Sequence, residues 1–206
     1  MQALINAGGK GTRMGACGIE KPMQIVGGKP VVGRVVDALL NSRNIDSVLV
    51  SVSDNTPDTE KYLREIGIRT LKTSGEDFVK DLHDSFEVLD GKFVLTCPSD
   101  LPFISTSAID RFVSAFDADK MESFIAIVDK KAFKKLNIQP SYTRDHYGSE
   151  WAVSGVSIMD RVKTLQGVYL QESFFETDSR EFAVNVNTKE ELDRARKIVD
   201  GIRAYI

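Results

Sequence analysis

Cysteine, histidine and tryptophan are scarce in these 206 residues, with two, two and one copies respectively. Cys17 and Cys97 form neither a CxxC pair nor a metal-ligand spacing, which argues against a zinc module or a thiol-redox centre. Two isolated thiols suit a reducing compartment, and both are expected to be inert unless Cys17, inside a loop, is modified. No apolar run has the length needed to cross a bilayer, and the first residues lack a signal peptide's basic region. The expectation is a cytoplasmic chain without membrane insertion. Basic excess is absent too: the net charge is −3 and the pI about 5.5, so the electrostatic footprint of a nucleic-acid binder is missing. There is no internal repeat, no low-complexity segment and no Ser/His/Asp or Cys/His nucleophile set. With 42% hydrophobic and 28% charged residues, the composition fits one globular domain over 1–206.

What is present is concentrated near the start. An apolar run ending Leu4-Ile5-Asn6 passes into Ala7-Gly8-Gly9-Lys10-Gly11-Thr12-Arg13-Met14-Gly15, followed by Glu20-Lys21-Pro22. Four glycines in eight positions let a loop turn tightly and bring its N–H groups close to an anion. Lys10, Arg13 and Lys21 supply the positive charge that a polyphosphate requires. A Walker A loop is excluded because no Gly-Lys-Ser/Thr triplet follows. A G-x-G-x-x-G fingerprint starting at Gly9 fails at its sixth position, which is Met14.

Along the rest of the chain, strand-like runs at 2–7, 47–53, 68–72, 93–97, 123–128, 153–159 and 182–186 alternate with helical patterns. A helix after Pro30 carries Val32, Val35, Val36, Leu39 and Leu40 at one-face spacing. Helices are also expected at 57–66, at 77–89 with Phe78, Leu82, Phe86 and Leu89 inward, and after Ser105 or Thr106 with Ile109, Phe112, Val113 and Phe116 on one face. The last helix is expected to begin at Asn187-Thr188-Lys189-Glu190, with Asn187 as N-cap and Leu192, Ala195, Val199 and Ile202 buried. Such alternation predicts an α/β, Rossmann-like three-layer fold: a mostly parallel sheet with helices on both faces and ligands beyond the carboxyl ends of the strands. Residues 130–152 form the one long irregular stretch, a length that in a compact domain is usually functional. Its Lys130, Lys131, Lys134 and Lys135, followed by Tyr142, Tyr147 and Trp151, read either as a solvated face or as an acceptor-side lid. His146 has no partner that the sequence reveals.

Three further strand ends carry small polar or acidic groups. Asp100 closes Thr96-Cys97-Pro98-Ser99-Asp100. Asn55 and Thr56 follow the second strand, and Thr73-Ser74-Gly75 the third, where the base and ribose of a nucleotide would lie.

The loop and the Lys21-Pro22 step resemble the nucleotidyltransferase family of the sugar-phosphate and cofactor type, whose signature is A-G-G-x-G-T/S-R-M-G followed by K-P. These enzymes attack the α-phosphate of an NTP with an acceptor phosphate and release pyrophosphate. The later segments S-x-N-T-P, T-S-G before x-x-D-L, S-D-L and N-x-N-T-K-E-E-L narrow the resemblance, over nearly the whole chain, to the archaeal GTP:adenosylcobinamide-phosphate guanylyltransferases within the MobA-like superfamily. The resemblance implies GMP transfer from GTP to a corrinoid phosphate, with Mg²⁺ as cofactor. It implies a triphosphate cradle of Ala7, Gly8, Gly9, Lys10, Gly11 and Thr12, catalysis by Lys21, Arg13 and Asp100, and nucleotide contacts from Asn55, Thr73, Ser74 and Gly75. Metal ligation falls to Asp100 and, where the family has aspartate in D-T-P-E-D-L, to Asn187; Asn185 is a weaker candidate. Acceptor contacts fall to Gly155 and Ser157 (where an asparagine is expected) and, on the lid reading of 130–152, to Lys131 and Trp151. Other sugar- or molybdenum-cofactor nucleotidyltransferases and a non-catalytic GTP-binding protein of the same fold remain alternatives, and a homodimer is compatible with the sequence.

Overall fold

The structure, a computed structural model, describes residues 1–15, 18–136, 138–140 and 142–203, apart from the side chains of 134–136, 202 and 203. β1 (Gln2–Asn6) leads through single 3-10 turns at Thr12–Met14 and Lys21–Met23 to a two-residue ribbon, β2 (Ile25–Val26) and β3 (Lys29–Pro30). Then follow α1 (Val31–Leu40), β4 (Ser47–Val52), α2 (Pro57–Glu65), β5 (Arg69–Lys72), α3 (Phe78–Glu87), β6 (Phe93–Pro98), α4 (Thr106–Ser114) and β7 (Ser123–Asp129). The chain continues through α5 (Lys130–Leu136), β8 (Thr143–His146), β9 (Ser149–Asp160), α6 (Arg161–Leu165), β10 (Glu172–Thr177), α7 (Arg180–Ala183) and α8 (Lys189–Arg203). No helix among the described residues is long and apolar enough to cross a membrane.

The main sheet has the order β10-β7-β9-β6-β1-β4-β5, with β8 added to β9. β1 lies between β4 and β6 and is parallel to both; β5 extends β4 and β10 extends β7 in parallel. β9 is reversed against β6, β7 and β8. The expected mostly parallel sheet with helices on both faces is therefore found. Side chains along β1 show how both faces are filled: Ala3 and Ile5 enter the larger core with α1, α4, α7 and α8, whereas Leu4 packs with Leu82 and Phe86 of α3. Strands covered on both sides read as continuous apolar runs, which is why β1, β4, β6 and β7 stand out in the sequence.

Four expectations are corrected. Residues 182–186 are not a strand: they finish α7 and continue as an extended segment whose Val186 N–H donates to the Asp100 carbonyl (2.9 Å) rather than to a strand edge. The strand beyond β7 is instead β10, whose Phe175 joins the core while the residues beside it are half-buried or exposed, so the apolar pattern is weak. Residues 130–152 are not irregular; they hold α5 and a β8–β9 hairpin turned at Tyr147-Gly148, both with positive φ, as a two-residue hairpin turn requires. Leu40 and Phe78, read as inward, are 48% and 64% exposed. Ile202's side chain and Cys17 lie outside the described residues.

Candidate active site

A cleft of about 530 Å³ opens at the carboxyl ends of the central strands, lined by the glycine loop, Lys21, Ser51, the 75–81 segment, Asp100 and Asn187. The loop leaves β1 and is pressed onto the end of β4: the Gly8 carbonyl accepts the Ser53 hydroxyl (2.6 Å) and the Asn55 amide (3.3 Å). Gly11 sits at φ 60°, in the left-handed region that favours glycine. Buried Met14 anchors the following turn in the core, and Arg13 beside it is exposed.

At one end the charges gather. Pro22 opens a 3-10 turn that fixes Lys21 at its first residue. Just before it, the Glu20 carboxylate accepts the free N–H groups of Asp58 (2.7 Å) and Thr59 (2.8 Å) at the start of α2, satisfying donors a helix N-terminus leaves open. Lys21 is thus held from both sides. Its ammonium donates to Asp100 Oδ2 (2.5 Å) and to Asn187 Oδ1 (2.6 Å), and Arg13 donates to the same Asn187 oxygen (2.9 Å). The Val186-to-Asp100 backbone bond is what sets Asn187 beside Asp100. Lys10 stands apart at the mouth, ion-paired with Glu76 (2.6 Å).

Asn187 does not cap α8. Thr188 does: its hydroxyl accepts the Glu191 N–H (3.2 Å), and the Glu191 carboxylate accepts the N–H groups of Asn187 (2.6 Å) and Thr188 (3.0 Å), a capping box shifted one residue along. The Asn187 side chain instead lines the cleft, where its Oδ1 accepts from Lys21 and Arg13. Two oxygens, one carboxylate and one amide, converge there on the Lys21 ammonium, with Arg13 sharing the amide oxygen. That is a donor set a hard divalent ion accepts, with phosphate oxygens and water completing its shell. Among the described residues no group of three or more His, Cys, Asp and Glu could hold a metal without such help. Cys97, just before Asp100's loop, is fully buried, and burial followed by the Asp100 charge pushes its thiol far up, so it stays protonated and unreactive.

At the other end the loop after β5 is shaped by hydrogen bonds. Asp81 of α3 accepts the Ser74 N–H (2.9 Å), the Ser74 hydroxyl (2.7 Å) and the Gly75 N–H (2.9 Å). Gly75 has φ 68°, and a Cβ there would stand 2.4 Å from Ser53 Oγ, so the loop lies flat on the end of β4. Asn55 joins the two loops by donating to both Gly8 and Gly75 carbonyls. Thr73 donates to the Val52 carbonyl and faces β4. Glu20, Glu76 and Asp81 carry no site assignment from the sequence, and Phe78 was read as core; the x-x-D-L step pointed to Asp81 only as part of a pattern.

The acceptor-side residues separate. A Cβ on Gly155 would meet Pro98 at 3.2 Å, and Pro98 lines the cleft. Ser157 Oγ is 2.7 Å from Thr96 Oγ1 on the neighbouring strand. Lys131 is exposed near Asp129 (3.7 Å), and Trp151 packs edge-on toward His146; none of the four lines the cleft itself, and Gly155 comes nearest, through Pro98. Lys134's side chain is outside the described residues. The hairpin is tied to β10, with Arg144 over Phe174 and paired to Glu172 (2.8 Å), and His146 bonded to Glu176 (2.9 Å).

The model of the MobA-like NTP transferase domain matches residues 3–177. The adenosylcobinamide-phosphate guanylyltransferase of Methanocaldococcus jannaschii is 30% identical, over 98% of this chain and all of that one. Among solved structures, a CMP:2-keto-3-deoxy-manno-octonic acid synthetase complexed with CTP aligns with TM-score 0.72 at 14% identity, covering 98% of both chains. A nucleotidyl transferase from Methanothermobacter aligns with TM-score 0.70 at 17% identity over the same shares.

Proposed function

The chain belongs to the MobA-like NTP transferase family, and from that premise we infer that it transfers GMP from GTP to adenosylcobinamide phosphate, giving adenosylcobinamide-GDP and pyrophosphate. The observation that carries the reading is the convergence of Lys21, Asp100 and Asn187 at the foot of the glycine loop. Nucleotide binding alone has no use for a lysine and a carboxylate locked together at the α-phosphate position. The full-length likeness to the M. jannaschii guanylyltransferase supports the choice of base and acceptor.

The attacking group is a phosphate monoester, whose second pKa near 6 leaves its oxygen ionised at neutral pH, so no general base is needed. An acceptor oxygen attacks the α-phosphorus, and the bond to the bridging oxygen breaks with its electron pair leaving on pyrophosphate. The protein's task is to bring two anions together and to hold the charge that develops. Loop amides from Gly8 to Thr12 face the β- and γ-phosphates, with Arg13 beside them and Lys10 recruited from its exposed pair. Such pairs contribute little, so Lys10 is released at small cost. Lys21 turns from Asp100 toward the α-phosphate, and Asp100 Oδ2 and the Asn187 amide oxygen are the groups that would hold Mg²⁺. When bound, that ion neutralises the phosphates and the departing pyrophosphate. For the acceptor the reading favours the β9 side near Gly155 and Ser157 over Lys131 and Trp151.

The test follows the label from GTP carrying isotope at the α-phosphate. The expected result is transfer into the corrinoid product only when cobinamide phosphate is supplied. Label recovered as GMP or GDP, with none on the corrinoid, would reject the transferase reading.

A further inference from the structure

The first turn of α3 holds two side chains that the transfer step does not use. Phe78 is 64% exposed and Asp81, three residues on, is 9% exposed; both line the cleft. A three-residue spacing puts them on one side of the helix. A large aromatic ring left in water at a cleft wall has a partner to gain, and nucleobases stack on such rings whatever their identity.

Resting on the GTP reading above, we propose that Asp81 is the residue that selects guanine, its Oδ2 accepting a hydrogen bond from the 2-amino group of the base with N1–H turned toward the same carboxylate, while the Phe78 ring covers the base face. Three carboxylates line the cleft. Asp100 belongs to the phosphate end and Glu76 is paired with Lys10 at the mouth, which leaves Asp81. A carboxylate has about four acceptor positions. Oδ1 takes two donors from Ser74, and Oδ2 takes one from Gly75, so Oδ2 keeps one position open. The same three bonds fix the carboxylate, so it cannot swing away from an unsuitable neighbour. Guanine presents two adjacent donors, N1–H and the 2-amino group. Adenine and cytosine present a ring lone pair at the corresponding place, and a fixed anion repels it. Sites that hydrogen-bond a substrate group reject analogues lacking it far more sharply than apolar pockets do.

Inosine triphosphate lacks only the 2-amino group, so it isolates this contact. Calorimetry on the full chain is expected to give GTP binding roughly tenfold or more tighter than ITP, the size of one good base-edge contact. Asp81→Asn should bring the GTP-to-ITP ratio close to one. A purely structural role for Asp81 weakens both nucleotides by one factor and leaves the ratio intact, which overturns the proposal. So does a wild-type chain that binds GTP and ITP equally, a result that needs no variant to fold. Phe78→Ala is expected to weaken GTP and ITP together by about tenfold; unchanged affinity for both removes the base from this turn. If ATP binds the wild type as tightly as GTP, the guanylyltransferase reading itself falls. GTP preference over ATP with an unaltered ratio in Asp81→Asn removes only the Asp81 assignment.

Discussion

The two ends of the cleft are built differently. At the end proposed for the phosphates, Arg13, Lys21, Asp100 and Asn187 come from distant parts of the chain and hold one another through opposite charge and a shared amide oxygen. At the end proposed for the base, Thr73, Ser74 and Gly75 donate to the Val52 carbonyl and the Asp81 carboxylate, and Gly75 accepts from Asn55, without a cation. The charged end satisfies itself in a form that substrate must replace. The other end, held by hydrogen bonds to a single carboxylate, already has its shape before substrate arrives. The difference predicts that changes at the first end fall on turnover and changes at the second on nucleotide affinity.

The largest effect is expected for Lys21→Ala, with kcat lowered by at least about 10²–10³, the usual loss for a group that stabilises developing charge. Asp100→Asn should lower kcat by a similar roughly 10²–10³, while GTP binding in chelator-treated buffer changes little. Normal turnover in either variant would break the contrast between the two ends. Next in size is Gly75→Ala. A Cβ meeting Ser53 and Asn55 at 2.4 and 2.6 Å in a left-handed backbone should cost about 1–3 kcal/mol locally. It should appear as weaker GTP binding with pyrophosphate binding unchanged; equal loss of both would show that the ends are not separate.

Much of this contrast was open to reading in the sequence, but unevenly. The glycine loop, Lys21 and Asp100 stand beside runs buried on both faces, β1 and β6, so local pattern and position in the sheet agree. Asn187 was readable as a candidate at a strand end but not as distinct from the cap, because a box at Thr188–Glu191 and one a residue earlier look alike until hydrogen bonds are placed. Glu20 reaches a helix 38 residues away, a tertiary contact with no local signature. β10 escaped because only Phe175 of its central pair enters the core, whereas Val184 and Val186 imitate a strand by alternation yet bond to a loop. The β8–β9 hairpin carries mostly polar side chains, and its partners Phe174, Glu172 and Glu176 lie on a strand the pattern did not announce.

Two smaller effects sharpen the picture. Thr188→Ala should lower unfolding stability by about 1 kcal/mol through loss of the cap, with kcat nearly unchanged, since Asn187 and not the cap faces the cleft. A fall in kcat greater than the fall in stability explains would make the cap part of the site. Lys131→Ala should leave acceptor KM and stability within about 0.5 kcal/mol of the parent, as an exposed substitution does. A raised acceptor KM would return the 130–151 segment to the acceptor side.

Pyrophosphate release, measured with each of the four NTPs in turn, with and without cobinamide phosphate, tests the central claim most directly. The account predicts release with GTP alone among the four, dependent on both acceptor and divalent metal. Release at comparable rates from ATP, CTP or UTP, or from GTP without any acceptor, would contradict it.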